Sequence, residues 1–127
     1  MIRSVHHAQI TIPVGAEDSA RAFYCGILGL TEIQKPDALS GRGGFWMEID
    51  GFQVHVGVED TANRAPSKAH VAYLVDDLEA WRTTLTENGV TILEGIPIPH
   101  YDRFEFRDPF GNRVEFLQAH EIDSVPI

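Results

Sequence analysis

The chain has 127 residues, 43% of them apolar, enough for one compact domain over 1–127 and too few for two independent ones. Ten basic residues stand against nineteen acidic ones, a net charge of −9, which opposes binding to nucleic acid or anionic lipid. No run approaches the roughly 18 apolar residues that span a bilayer, and no basic stretch followed by an apolar one opens the chain, so a soluble cytoplasmic protein without nucleic-acid or membrane partners is expected.

In chain order, Ser4 to Pro13 alternates as a strand, with Ile10 and Ile12 on one face. Ala20, Phe23, Tyr24 and Ile27 recur at helical spacing, Glu17 and Asp18 suit the first turn, and Gly29 suits the C-terminal cap. Cys25, the single cysteine, lies within this helical pattern and is expected to fill core. Strand-like runs follow at Leu30 to Ile33, Phe45 to Ile49 and Val54 to Val58, with a Gly-, Pro- and Ser-rich loop from Lys35 to Gly44 and a tight turn at Asp50-Gly51.

After a polar linker from Glu59 to Lys68, the order repeats. His70 to Val75 reads as a strand; Asp76 or Asp77 caps a helix carrying Leu78, Trp81 and Leu85, which stops at Asn88-Gly89. Strands at Thr91 to Glu94, Phe104 to Arg107 and Arg113 to Ala119 complete it, the last two joined by Asp108-Pro109-Phe110-Gly111. The predicted class is α+β, two tandem βαβββ modules over about residues 4–58 and 70–119, forming a pair of curved mixed-sheet half-barrels. Gly51-Phe-Gln-Val-His55 and Gly111-Asn-Arg-Val-Glu115 carry the repeat, each placing a polar residue four positions after a turn glycine.

Alternation then assigns faces. His7, Gln9 and Thr11 oppose Ile10 and Ile12; His55 opposes Val54 and Val56; His70 opposes Val71 and Tyr73; Glu115 opposes Val114 and Phe116. If each sheet curls with its helix outside, His7, His55, His70 and Glu115 look inward. A buried glutamate there needs a cation or a hydrogen-bond network. Imidazoles with a carboxylate suit a divalent transition metal (Zn, Ni, Fe, Co or Mn) rather than Ca or Mg. Read singly, a histidine in a strand is more often a hydrogen-bonded structural or surface residue than a ligand, and it is the shared parity at repeated positions that favours ligation. His6 is expected at a frayed end, His120 without a role, and Trp46, Trp81 and Phe104 as packing residues.

Val5-His-His-Ala-Gln-Ile-Thr-Ile-Pro13, Ala22-Phe-Tyr-Cys-Gly-Ile-Leu-Gly-Leu30 and Arg107-Asp-Pro-Phe-Gly-Asn-Arg-Val-Glu-Phe116 resemble the signature stretches of the vicinal oxygen chelate superfamily, which holds glyoxalases, bleomycin-resistance proteins and extradiol dioxygenases. The resemblance runs from about Val5 to Gln118. It implies metal ligands on the first and last strand of each module, which fall here on His7, His55, His70 and Glu115. Glyoxalase I-like relatives have glutamate where this chain has His55, which leaves Glu115 as the carboxylate able to abstract a proton. Dioxygenase and fosfomycin-resistance relatives use two histidines and one glutamate, a set that His7, His70 and Glu115 would supply with His55 as a fourth or outer group. The resemblance also implies a homodimer.

The leading expectation is a metal-dependent lyase or isomerase of glyoxalase type acting on a small molecule. In it a metal chelates substrate oxygens and Glu115 shuttles the proton. Gln9, Arg42, Arg103 and His100 are the candidate substrate contacts, the two arginines for an anionic group. The alternatives are an Fe(II) extradiol-type dioxygenase and a non-catalytic drug-binding resistance protein, the latter favoured by the charge and disfavoured by the four polar residues.

Overall fold

Alternation of apolar and polar residues decides which side of each sheet is buried, and the computed structural model, which describes residues 1–60 and 63–121, follows it closely. Thr61 and Ala62 of the expected linker lie outside the described residues. The chain divides into two compact units, Met1–Asn63 and Arg64–Ile127, each with one mixed four-stranded sheet.

The first unit contains β1 (His7–Ile12), α1 (Glu17–Arg21), a π-helical turn (Ala22–Ile27), β2 (Thr31–Ile33), a 3-10 helix (Asp37–Arg42), β3 (Phe45–Ile49) and β4 (Phe52–Val58). Its strand order is β1-β4-β3-β2, with β1 parallel to β4 and the other pairs antiparallel. The single helix expected through Ile27 instead widens after Arg21, where Leu28 N–H donates to Phe23 O and Leu30 N–H to Tyr24 O, each at 3.0 Å. Gly26 weakens the regular helix there, and the wider turn buries the adjacent Phe23 and Tyr24. Cys25 is only half-buried, not the core filler expected. Ile12, Ala20, Met47 and Val54 are fully buried and form the core of this unit. Asp50 and Gly51 both take positive φ, 46° and 80°, the geometry of a two-residue hairpin that matches strand twist.

The second unit contains β5 (His70–Leu74), α2 (Leu78–Glu87), β6 (Leu93–Glu94), β7 (Tyr101–Arg107) and β8 (Arg113–Ala119), in the order β5-β8-β7-β6. Asp77 caps α2 by accepting from Ala80 N–H at 3.0 Å, an arrangement that contributes about 1 kcal/mol. Trp81 meets Phe116 edge-on at 5.3 Å, and Phe104, Phe106, Val114 and Phe116 are buried, so an aromatic face lies under α2. Strand β7 begins three residues earlier than its apolar pattern suggests, because polar Tyr101, Asp102 and Arg103 still pair with Ala119, Gln118 and Leu117. The turn before β8 is fixed by the buried carboxylate of Asp108, which accepts from the N–H groups of Phe110 (2.9 Å) and Asn112 (2.8 Å) and from Asn112 Nδ2 (2.8 Å). That carboxylate sets the register that carries Glu115. Among the described residues no helix is long and apolar enough to cross a membrane.

Candidate functional site

The polar face of the first sheet is built from rings. Trp46 on β3 pairs directly with His55 on β4, and their rings stack at 3.9 Å and 3°. His7 on β1 stacks on the His55 ring at 4.0 Å and 15°. His55 is buried, and its Nε2 lies 2.9 Å from Gln53 Oε1. A carboxamide oxygen only accepts, so Nε2 carries the proton of that bond. Burial, aided by the neighbouring charges of His7, His6 and Lys35, lowers the His55 pKa from 6.5 to about 4. The ring is therefore neutral at physiological pH. Above this face lies a cavity of about 580 Å³ whose lining includes His7, Gln9, Lys35, Arg42, Trp46 and His55.

The matching face of the second sheet is ionic. Glu115 on β8 is buried; its Oε1 is 3.0 Å from His70 Nε2 and its Oε2 is 3.3 Å from Arg103 Nη1. Beside it, Arg113 pairs with Glu105, which holds the Glu105 carboxyl below the usual range. His70 Nδ1 lies 2.9 Å from the carbonyl oxygen of Lys68. That oxygen accepts only, so Nδ1 is protonated and the tautomer is fixed. Nε2 is then the ring atom that faces the Glu115 carboxylate, at 3.0 Å.

These donors fit a metal unequally. The His70 and Glu115 pair presents a nitrogen and an oxygen at a separation two neighbouring ligands of one ion can have, and the Lys68 carbonyl supplies the outer bond that a ligating imidazole requires. His7 and His55 do not fit as joint ligands as they stand. Lone pairs of face-to-face rings lie in nearly parallel planes and cannot converge on one ion, and the Nε2 of His55 is already bonded to Gln53. Among the described residues, neither unit by itself gathers three His, Cys, Asp or Glu side chains around a metal position.

The other expected contacts fall into different places. Gln9 pairs with His55 in register and lines the cavity, its amide lying against Gly57 so closely that a Cβ there would meet Nε2 at 2.7 Å. Arg42 lines the same cavity. Arg103 is engaged by Glu115 and by the carbonyl of Ile96 at 3.0 Å. His100 is exposed in the loop before β7, with φ 73°, and its carbonyl accepts from His120 N–H at 2.8 Å. Trp46, expected as packing, packs as the outer ring of the His55 stack and also lines the cavity. Lys35 and Gln53 were not singled out by sequence at all. Alternation would have found Trp46 and Glu105, since Phe45 and Met47 flank the first, and Phe104 and Phe106 the second, on the buried face.

Residues 4–116 match the family model described as the glyoxalase/bleomycin resistance protein/dioxygenase superfamily. The curated protein Glyoxylase I 4 of Arabidopsis thaliana is 22% identical over 139 residues, covering 99% of this chain and 76% of that protein. A crystal structure of a glyoxalase family protein from Bacillus anthracis is similar at 38% identity and a TM-score of 0.88, covering 94% of this chain and 98% of that one. The fosfomycin resistance protein FosX from Listeria monocytogenes, crystallised with Mn(II) and sulfate, shares the fold at 16% identity and a TM-score of 0.76, over 95% and 94% of the two chains.

Proposed function

The chain belongs to the glyoxalase/bleomycin resistance protein/dioxygenase superfamily, and from that premise we propose that it is a metal-dependent enzyme acting on a small molecule, a lyase or isomerase in which Glu115 moves the proton. In the second unit His70 and Glu115 would hold a divalent transition ion; in the first, His55 is the ring that holds His7 in place. When bound, such an ion supplies Lewis acidity toward adjacent substrate oxygens.

The observation that carries this reading is the His70 and Glu115 contact, 3.0 Å between a nitrogen whose tautomer the Lys68 carbonyl fixes and a buried carboxylate oxygen. A carboxylate so placed serves as an acid or base within hydrogen-bond reach of a bound substrate. Arg103, with Nη1 3.3 Å from the far oxygen Oε2, orients the carboxylate. The fosfomycin resistance relative, crystallised with Mn(II), supports a divalent ion as the group to test first. The net charge of −9 does not by itself favour a drug-sequestering role, because the cavity lining carries Lys35 and Arg42 and no carboxylate.

Elemental analysis of protein purified without chelator tests the reading. Near-stoichiometric divalent metal is expected, and Glu115→Gln and His70→Gln should each lower metal affinity by about tenfold or more with the far-UV spectrum unchanged. Folded variants that keep their metal, or native protein that takes up none when titrated with Mn(II), Zn(II), Ni(II), Co(II) or Fe(II), would overturn it.

A further inference from the structure

The cavity of the first unit is charged against the run of the chain. Although acidic residues outnumber basic ones nineteen to ten, its lining holds Lys35 and Arg42 and no Asp or Glu. Arg21, Arg82, Arg103, Arg107 and Arg113 all bond to carboxylates or carbonyls. Arg42 makes no hydrogen bond or ion pair among the described residues. Lys35 donates one bond, to Gly43 O at 2.7 Å, which leaves two of its three N–H donors for another acceptor. A carboxylate does reach this loop, but Glu17 is turned to Gly44 N–H at 3.2 Å and is not part of the lining.

The loop that carries the two cations is braced against the sheet. The Lys35 bond closes the base of the 3-10 helix, and Gly44, at φ 75°, lies so close to Val56 O that any Cβ would collide with it. Arg42 is therefore presented from a fixed support and not from a free loop. Leu39, Val56 and the Trp46 ring supply the apolar part of a lining that also holds Gln9 and the imidazoles of His6, His7 and His55.

We propose that this cavity binds the anionic end of an amphiphilic small molecule, a carboxylate or phosphonate held between Lys35 and Arg42, with its apolar portion against Leu39 and Trp46. The inference rests on the proposed enzymatic reading for its meaning, since it names the substrate class, but the cation pair is a property of the first unit alone. A planar guanidinium and an ammonium together match a two- or three-oxygen acid group better than a hydroxyl or an amide.

Isothermal titration calorimetry with phenylphosphonate, phenylacetate and the neutral 2-phenylethanol tests it, on chelator-treated and on Mn(II)-loaded protein. Both anions should bind the chelator-treated protein at least about tenfold more tightly than the alcohol, with affinity falling as NaCl rises. Arg42→Gln should weaken both anions by about tenfold, and Lys35→Met by several-fold, while metal content stays unchanged. If the anions bind only to the Mn(II)-loaded protein and Arg42→Gln has no effect, the acid group sits elsewhere and this proposal fails while the metal reading stands. If they bind the chelator-treated protein with the expected Arg42 dependence but no metal is ever retained, the cation pair stands and the metal reading fails. Equal affinity for acid and alcohol would also overturn the proposal.

Discussion

The two units share an element order and a hydrogen-bond register, yet their polar faces run on different physics. Register equates His7 with His70, Gln53 with Arg113, His55 with Glu115 and Trp46 with Glu105. In the first unit these positions form a stack of rings, Trp46 on His55 on His7, tied by one amide. In the second they form a ladder of opposite charges, with Arg113 on Glu105 and both Arg103 and His70 on Glu115. The backbone thus fixes where the side chains stand, and the residue type at each rung decides whether dispersion or charge holds the face. It also divides the chemistry: the ionic face holds a poised carboxylate, while the cavity over the stacked face is lined by Lys35 and Arg42 and by no Asp or Glu.

The largest expected effect would break the comparison on its buried side. Phe106→Ala empties a fully buried position among Phe104, Val114 and Phe116 and should cost about 3–5 kcal/mol, read from the urea midpoint. A loss below about 1 kcal/mol would mean that the aromatic face under α2 is not what holds the second sheet.

Acid separates the two polar faces next. The folded-state pKa of His55, about 4, lies below its ordinary 6.5, so above pH 6.5 its contribution to stability is fully present. As pH falls through 6.5, the unfolded chain takes up a proton that the folded ring refuses, and stability declines until about pH 4, by about 3 kcal/mol in all. Glu105, whose pKa Arg113 lowers, keeps its contribution above the carboxylate range and loses it only on further acidification. Chelator-treated protein should therefore lose urea stability between pH 6.5 and pH 4, and His55→Phe should remove that slope. An unchanged slope in the variant would show that the titrating group lies elsewhere.

Much of this architecture was legible in the residues. The paired Gly51 and Gly111 motifs, the Asp77 cap and the alternation around His7, His55, His70 and Glu115 led to the two sheets and to the sides those residues occupy. What alternation cannot carry is the partner a side chain chooses once it is on the right face. Arg103 read as a substrate contact because nothing in its spacing marks Glu115, twelve residues on, as its acceptor. His55 read as a ligand because ring stacking leaves no periodic trace. The π-helical turn and the early start of β7 escaped for a related reason: both depend on hydrogen bonds to distant carbonyls and strands, not on local apolar spacing.

The smallest effect tests whether the stack is held by its rings or by its burial. Trp46→Leu keeps an apolar side chain over His55 but removes the parallel indole 3.9 Å away. Stacking of this kind contributes about 0.5–1.5 kcal/mol beyond area, so the urea midpoint should move only slightly. The sharper readout is the ring itself. If the indole is what shields His55 from water, the imidazole pKa followed by NMR should climb from about 4 back toward 6.5, because burial is the largest cause of its depression. A pKa that stays near 4 would assign the shielding to His7 and the strand walls, and would leave Trp46 as a lid over the cavity and not as a support for the ring beneath it.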